Sequence, residues 1–317
     1  MDKIKGLFFG IIYGLVARGI FALEVSEKAI FQTYGLMTLS FLFIVPFVIG
    51  LIVAYNYDHL TSSRKVLKIS MPVLSIIGLI GLSVFFGQEG IICALMAVPI
   101  FAVMALLGGL IGVRIFERNK NKLTISILVL LPFVIAPIEN SLGLTDKIFT
   151  ERTSIEISST EQQVWENITR VQEISKEENN LTLFQIMGFP RPLKAELDTI
   201  AVGGIRKAIF DRGLFFTETV TEVTDKRILA FDIKADPNSI PPTALDKHVL
   251  VGGQYFDVLE GRYEIEKITD SKVRLHLTSK FRLSTGFNFY SGLWSQLIMS
   301  DIQKNILTII KERSERV

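Results

Sequence analysis

Five stretches in the first 140 residues are apolar over nearly the length a bilayer demands, and this limits what the chain can fold into more than any other feature. A helix that crosses a hydrocarbon core needs roughly 20 mostly apolar residues. Residues 6–23, 36–55, 71–86, 91–113 and 123–138 reach or approach that length. The second, LMTLSFLFIVPFVIGLIVAY, carries no charge. The run GQEG at 87–90 reads as a tight polar turn that makes a hairpin of the third and fourth. Pro46, Pro99 and Pro132 fall inside segments, where neighbouring helices can re-satisfy the backbone groups a proline frees. The first segment opens on Lys3 and Lys5, but no small-x-small cleavage site follows it. It therefore reads as a signal anchor and not as a cleaved leader.

Charge divides the chain in the same region. Residues 1–150 hold 12 Lys+Arg against 8 Asp+Glu, whereas residues 151–317 hold 22 against 24. Two environments in one chain account for this split. In the short loops, Lys3, Lys5, Arg64, Lys65, Lys68, Arg114, Arg118, Lys120 and Lys122 fall on one side of a five-helix alternation. The opposite side holds Arg18, Lys28 and Lys147. Basic loops stay in the cytoplasm, so the N-terminus is expected there, and after five crossings the polar remainder is expected outside it. Arg18 is the only charge within a segment and is expected to snorkel toward the interface, which leaves no sign of a transport path. Cys93 is the single cysteine, and His59, His248 and His276 lack metal-ligand spacing. Neither half has the basic excess of a nucleic-acid binder. No metal, cofactor or nucleic-acid partner is expected.

After a polar linker at 140–152 the periodicity changes. Residues 153–158 alternate as a strand, and Ser159 and Thr160 offer N-caps for a helix beginning at Glu161. A second short helix is expected at 174–178. Strands are expected at 193–198, 205–210, 214–223, 228–235, 255–268 and 272–283, separated by turn-forming residues. Short connections between consecutive strands imply an antiparallel meander. A helix is expected over 289–313. Its Leu293, Trp294, Leu297, Ile298, Ile302, Ile306, Ile309 and Ile310 recur at three- and four-residue spacing, giving one apolar face.

The order strand, helices, run of strands and long terminal helix resembles the helix-grip fold of the START, pollen-allergen and polyketide cyclase superfamily (SRPBCC). Residues 155–168, IEISSTEQQVWENI, look like that family's opening strand and first helix. Residues 243–248, 252–261, 274–278 and 282–285 resemble a bacterial, polyketide-cyclase-like branch of it. The expected fold is an α-helical transmembrane bundle (residues 1–140, about five helices) plus an α+β helix-grip domain (residues 151–317), its antiparallel sheet wrapped on the long C-terminal helix.

The resemblance implies a cavity between sheet and helix that takes a lipid or another hydrophobic small molecule beside the bilayer. Candidate lining residues are Phe215, Phe216, Phe231, Tyr255, Phe256, Tyr263, Phe281 and Trp294. Polar candidates are Arg274 and His276, which share one face of a strand, and His248 beside Asp246. Arg274 and His276 read either as part of a solvated outer face or as a head-group site paired with Glu264. A cyclase- or dehydratase-type enzyme would use His248 or His276 as acid/base. A structural or regulatory protein with a filled core is the third reading. No nucleophile elbow, P-loop or HExxH is present.

Overall fold

A computed structural model describes residues 2–22, 35–56, 65–118, 122–175, 178–179, 181–235 and 250–316. Expectations for His59, His248 and Asp246, and for the loop residues Lys28, Arg64 and Lys120, lie outside the described residues. The chain divides into two compact units. One is Met1–Thr145 with Thr285–Phe287, and the other is Asp146–Ser284 with Asn288–Val317.

The first unit is helical. Its helices are α1 (Asp2–Phe21), α2 (Val45–Tyr55, continuing a π-helical turn over Ser40–Ile44), α3 (Lys65–Phe85), α4 (Ile91–Arg118) and α5 (Lys122–Ser141). They match the five apolar segments, with α3 beginning about two turns earlier than its apolar stretch. Two of them contain stretches, Ile91–Phe116 and Lys122–Ser141, that are long and apolar enough to cross a membrane; Ser40–Tyr55 and Ser70–Phe85 are apolar but shorter.

Neighbouring contacts define the helix directions. Gly6 in α1 lies against Val53 and Asn56 in α2, and Gly14 against Leu79 in α3. Gly112 in α4 lies against Leu51 and Ala54 in α2. Tyr13 donates to the Val129 carbonyl of α5 at 3.0 Å, and Phe21 meets Phe133 at 5.7 Å. Thus α1, α3 and α5 run one way, and α2 and α4 the other. Lys5, Lys65, Arg114 and Lys122 belong to helix ends at one end of this array. At the other end Arg18 donates to Glu89 at 3.1 Å and to the Gln88 carbonyl. In place of the snorkelling expected of Arg18, a nearly buried ion pair with Glu89 holds the α3–α4 turn against the end of α1. At that same end Glu139 accepts from the backbone N–H groups of Leu39 and Ser40, and from the Ser40 hydroxyl at 2.8 Å. A carboxylate there satisfies N–H groups that a helix start leaves open.

The second unit is one seven-stranded antiparallel sheet with helices on one face. Its elements are β1 (Asp146–Ile157), α6 (Glu161–Thr169), α7 (Leu183–Ile186), β2 (Pro192–Leu197), β3 (Ile205–Phe210), β4 (Phe215–Thr224), β5 (Ile228–Lys234), β6 (Phe256–Thr269), β7 (Lys272–Ser284) and α8 (Asn288–Glu315). The strand order is β1-β7-β6-β5-β4-β3-β2. Six of the strands form the expected meander, and β1 closes on β7 in register from Asp146↔Ser284 to Ile157↔Val273. Register shifts at Val220/Glu222 and Val258/Glu260 add local bend to a sheet that curls around α8. This antiparallel sheet curled on a C-terminal helix fits the helix-grip fold.

Three local expectations change. The polar linker shortens to residues 142–145, because residues 146–152 pair with β7. As an exposed edge strand, that stretch has few apolar positions to mark it. A short helix forms at Leu183–Ile186, where Thr182 and Gln185 form a reciprocal capping box, whereas the expected helix at 174–178 lies partly outside the described residues, with Ile174 and Ser175 not helical. On α8 the packed face is turned: Met299, Gln303, Leu307, Ile309 and Ile310 are buried, while Leu293 and Leu297 are exposed. A Cβ on Gly292 would stand 2.5 Å from the Phe149 ring, so the small residue lets β1 approach the helix and Leu293 passes to the flank.

Candidate functional site

Strand alternation separates two faces. In β7, Val273, Leu275, Leu277, Ser279, Phe281 and Leu283 are buried, with Arg274, His276 and Arg282 on the other side. The inner face continues through Gly261, Tyr263 and Ile265 of β6, Leu229 and Phe231 of β5, Val220 and Glu218 of β4, and Ala208 and Arg206 of β3. Against it pack Val164, Trp165 and Ile168 of α6 and Leu307 and Ile310 of α8.

Two charges stand in this otherwise apolar layer. Arg206 and Glu218 are register partners on β3 and β4, and Arg206 Nη1 donates to Glu218 Oε2 at 2.9 Å. The guanidinium lies 4.9 Å from the Phe231 ring centroid and 5.7 Å from that of Tyr263. Burial pushes the Glu218 carboxyl upward, and the guanidinium offsets only part of that push. Burial also works against a charged Arg206, but the combined pull of Glu218 and Tyr263 outweighs it and the net direction is upward. Tyr263 is likewise raised, chiefly by burial. The cluster is an ion pair held by aromatic faces, with Arg206 Nε lacking a partner among the described residues.

A second polar group sits on α8. Gln303 is 1% exposed and donates both amide protons, to Ser279 Oγ at 2.9 Å and to the Glu151 carbonyl at 3.2 Å. Its Oε1 has no partner among the described residues.

The candidates named from the sequence separate clearly. Phe231 and Tyr263 are core residues of the inner face. Phe216 is half-buried beside Phe210, edge-to-face at 5.2 Å. Tyr255 is half-buried just before β6, its carbonyl accepting from Ser284 N, and Trp294 is half-buried on α8. Phe281 is fully buried and stacked on Phe149. Arg274 and His276 lie on the outer face. Arg274 bridges Glu156 at 2.7 Å and Glu266 at 3.3 Å. His276 lies 2.6 Å from Ser154 Oγ through Nδ1 and 3.2 Å from Glu266 through Nε2. The expected partner Glu264, although opposite His276 in the β6–β7 register, pairs with Arg152 instead, and Glu266, opposite Arg274, engages both Arg274 and His276. Among the described residues no cluster of His, Cys, Asp and Glu could hold a metal ion.

Arg206, Glu218 and Gln303 were not singled out from the sequence. A signal was present for the first two: Arg206 alternates with Ala208, and Glu218 with Phe216 and Val220. Opposite charges in successive strands thus occupy the apolar phase. Gln303 had no such signal, because its burial follows from the turned face of α8.

No family model matches the sequence, and no curated protein matches it. Among solved structures, the chain is similar to the Zhui aromatase/cyclase of a Streptomyces species at 14% identity, covering 54% of this chain and 96% of that one, with a TM-score of 0.35. It is similar to a START superfamily protein from Mycobacterium smegmatis at 8% identity, covering 53% and 97%, TM-score 0.34. A third neighbour, norcoclaurine synthase from Thalictrum flavum, shows 10% identity, covering 55% and 88%, TM-score 0.32. These neighbours carry no activity across at such values. The fold assignment rests on the strand order and the placement of α8.

Proposed function

We propose that the chain is a membrane-anchored protein whose sheet unit binds a hydrophobic small molecule, a lipid or similar, for transfer or sensing at the bilayer. The supporting observation is the Arg206–Glu218 pair on the inner face of a helix-grip sheet. A layer serving only to fill a core gains little from two buried charges, since apolar replacements of similar size are often neutral or stabilising. A polar station within an apolar interior is what orients a greasy ligand. Extraction of the purified protein and mass spectrometry of the extract tests this: a bound hydrophobic compound in near-stoichiometric amount is expected. Protein that comes out empty and binds no lipid from a mixed bilayer extract overturns the reading.

The membrane part of the proposal rests on the five apolar helices and their alternating directions. Basic residues gather at one end, with Arg18, Glu89 and Glu139 at the other. With the N-terminus in the cytoplasm, the sheet unit follows α5 on the outer side. A reporter fused after Val317 should be active only outside the cytoplasm, and activity only inside reverses the orientation. A catalytic reading of the cyclase type gains no support from His276, which faces away from the interior and is engaged by Ser154 and Glu266.

A further inference from the structure

We infer that the ligand is electrically neutral and carries a hydroxyl or amide N–H, which donates to Gln303 Oε1; fatty-acid-like anions are excluded. This rests on the binding role proposed above and narrows its ligand class.

Charge is the first argument. Among the described residues of the sheet unit, the buried charged side chains are Arg206 and Glu218, and they neutralise one another at 2.9 Å. Among the described residues an anion would meet only the Arg206 Nε–H, on a guanidinium whose charge Glu218 already offsets. An anion brought into this interior either loses its hydration without compensation or takes up a proton.

The orientation of Gln303 is the second argument. Donation to Ser279 Oγ and to the Glu151 carbonyl uses both amide protons and fixes which end is oxygen. The remaining oxygen is an acceptor, buried and without a donor among the described residues. Leaving such an atom bare is unfavourable, and Leu or Met at this position would bring no such acceptor into the interior. A ligand hydroxyl or amide N–H supplies the missing proton, and a ligand carboxylate does not.

The test uses the full chain in detergent micelles, with hexadecan-1-ol, palmitate and hexadecane as probes of equal carbon number. At about neutral pH the alcohol is expected to bind about tenfold or more tighter than palmitate, and palmitate to gain affinity as the pH is lowered toward its protonation. Gln303→Leu should weaken the alcohol by about three- to tenfold, the worth of one hydrogen bond, and leave hexadecane unchanged. Gln303→Met provides the same reading if the leucine variant does not fold. Palmitate equal to the alcohol, or variants that bind the alcohol as the natural chain does, overturns this inference and leaves the hydrophobic-ligand reading standing. Failure of all three probes to bind overturns both.

Discussion

At the scale of single residues, the energetics of the sheet unit turn on how buried charges are matched. Arg206 and Glu218 are both buried, so removing one strands the other. Arg206→Ala should destabilise the sheet unit by about 3–5 kcal/mol, whereas the double change R206M/E218L should sit near the natural value. Chemical denaturation followed by the fluorescence of Trp165 and Trp294, both in the sheet unit, compares them, and equal losses in the two variants would remove the pair from its assigned role. Glu178 presents the opposite case. Hydrogen bonds from Arg313 at 2.9 and 3.0 Å hold its carboxyl down at about 2, against a partial upward push from burial. A carboxylate whose pKa falls on folding contributes stability above its ordinary value near 4.5, and that contribution is lost as pH drops toward about 2. Arg313→Ala should therefore cost more stability at about pH 6 than at about pH 2, read as a difference in denaturation midpoints that narrows on acidification. Arg313 also donates to the carbonyls of Gln172 and Glu173, so a pH-independent remainder is the expected floor.

Among elements, the α2–α4 pair shows how absent side chains set packing. A Cβ on Gly108 would stand 1.9 Å from the Phe47 carbonyl oxygen, and one on Gly50 would stand 2.0 Å from that of Ala105. Backbone cannot yield as a side-chain tip can, so the two helices approach closely because these positions carry no Cβ. Gly108→Ala should lower the thermal midpoint of the helical unit clearly. Gly81→Ala, with nothing within 4 Å, should leave it unchanged or raise it slightly through helix propensity. Equal effects of the two substitutions would argue against the packing account. In the sheet unit the same logic acts at Gly292, where closeness to Phe149 turns α8 and changes which residues meet the sheet.

For the whole molecule, two cores of different character predict two transitions. The helical unit exposes large apolar side chains along its helices, among them Phe8, Ile77, Val103 and Ile127, while the sheet unit closes its apolar layer between sheet and helices. Changing the detergent or adding lipid should shift one calorimetric transition strongly and the other little, and Arg206→Ala should move only the second. A single cooperative transition that moves under both perturbations would show that the units do not unfold independently.

What the sequence by itself determined was periodic. Apolar length marked the five helices, alternation and turn residues marked six strands within a few residues, and three- and four-residue spacing marked α8. These signals are local: each depends on neighbours within one or two turns along the chain. The start of β1 escaped because an exposed edge strand has no buried phase to display, and its pairing with β7 links residues more than a hundred positions apart. Only the tertiary structure decided which way the polar groups face. Arg274 and His276 lie on the outer face, in ion pairs and hydrogen bonds with neighbouring strands. Arg206 and Glu218 follow the strand alternation onto the inner face, where the packed helices bury them, and Gln303 joins them through the roll of α8 against Phe149. Face and depth are properties of packed layers, and no window along the chain contains both layers.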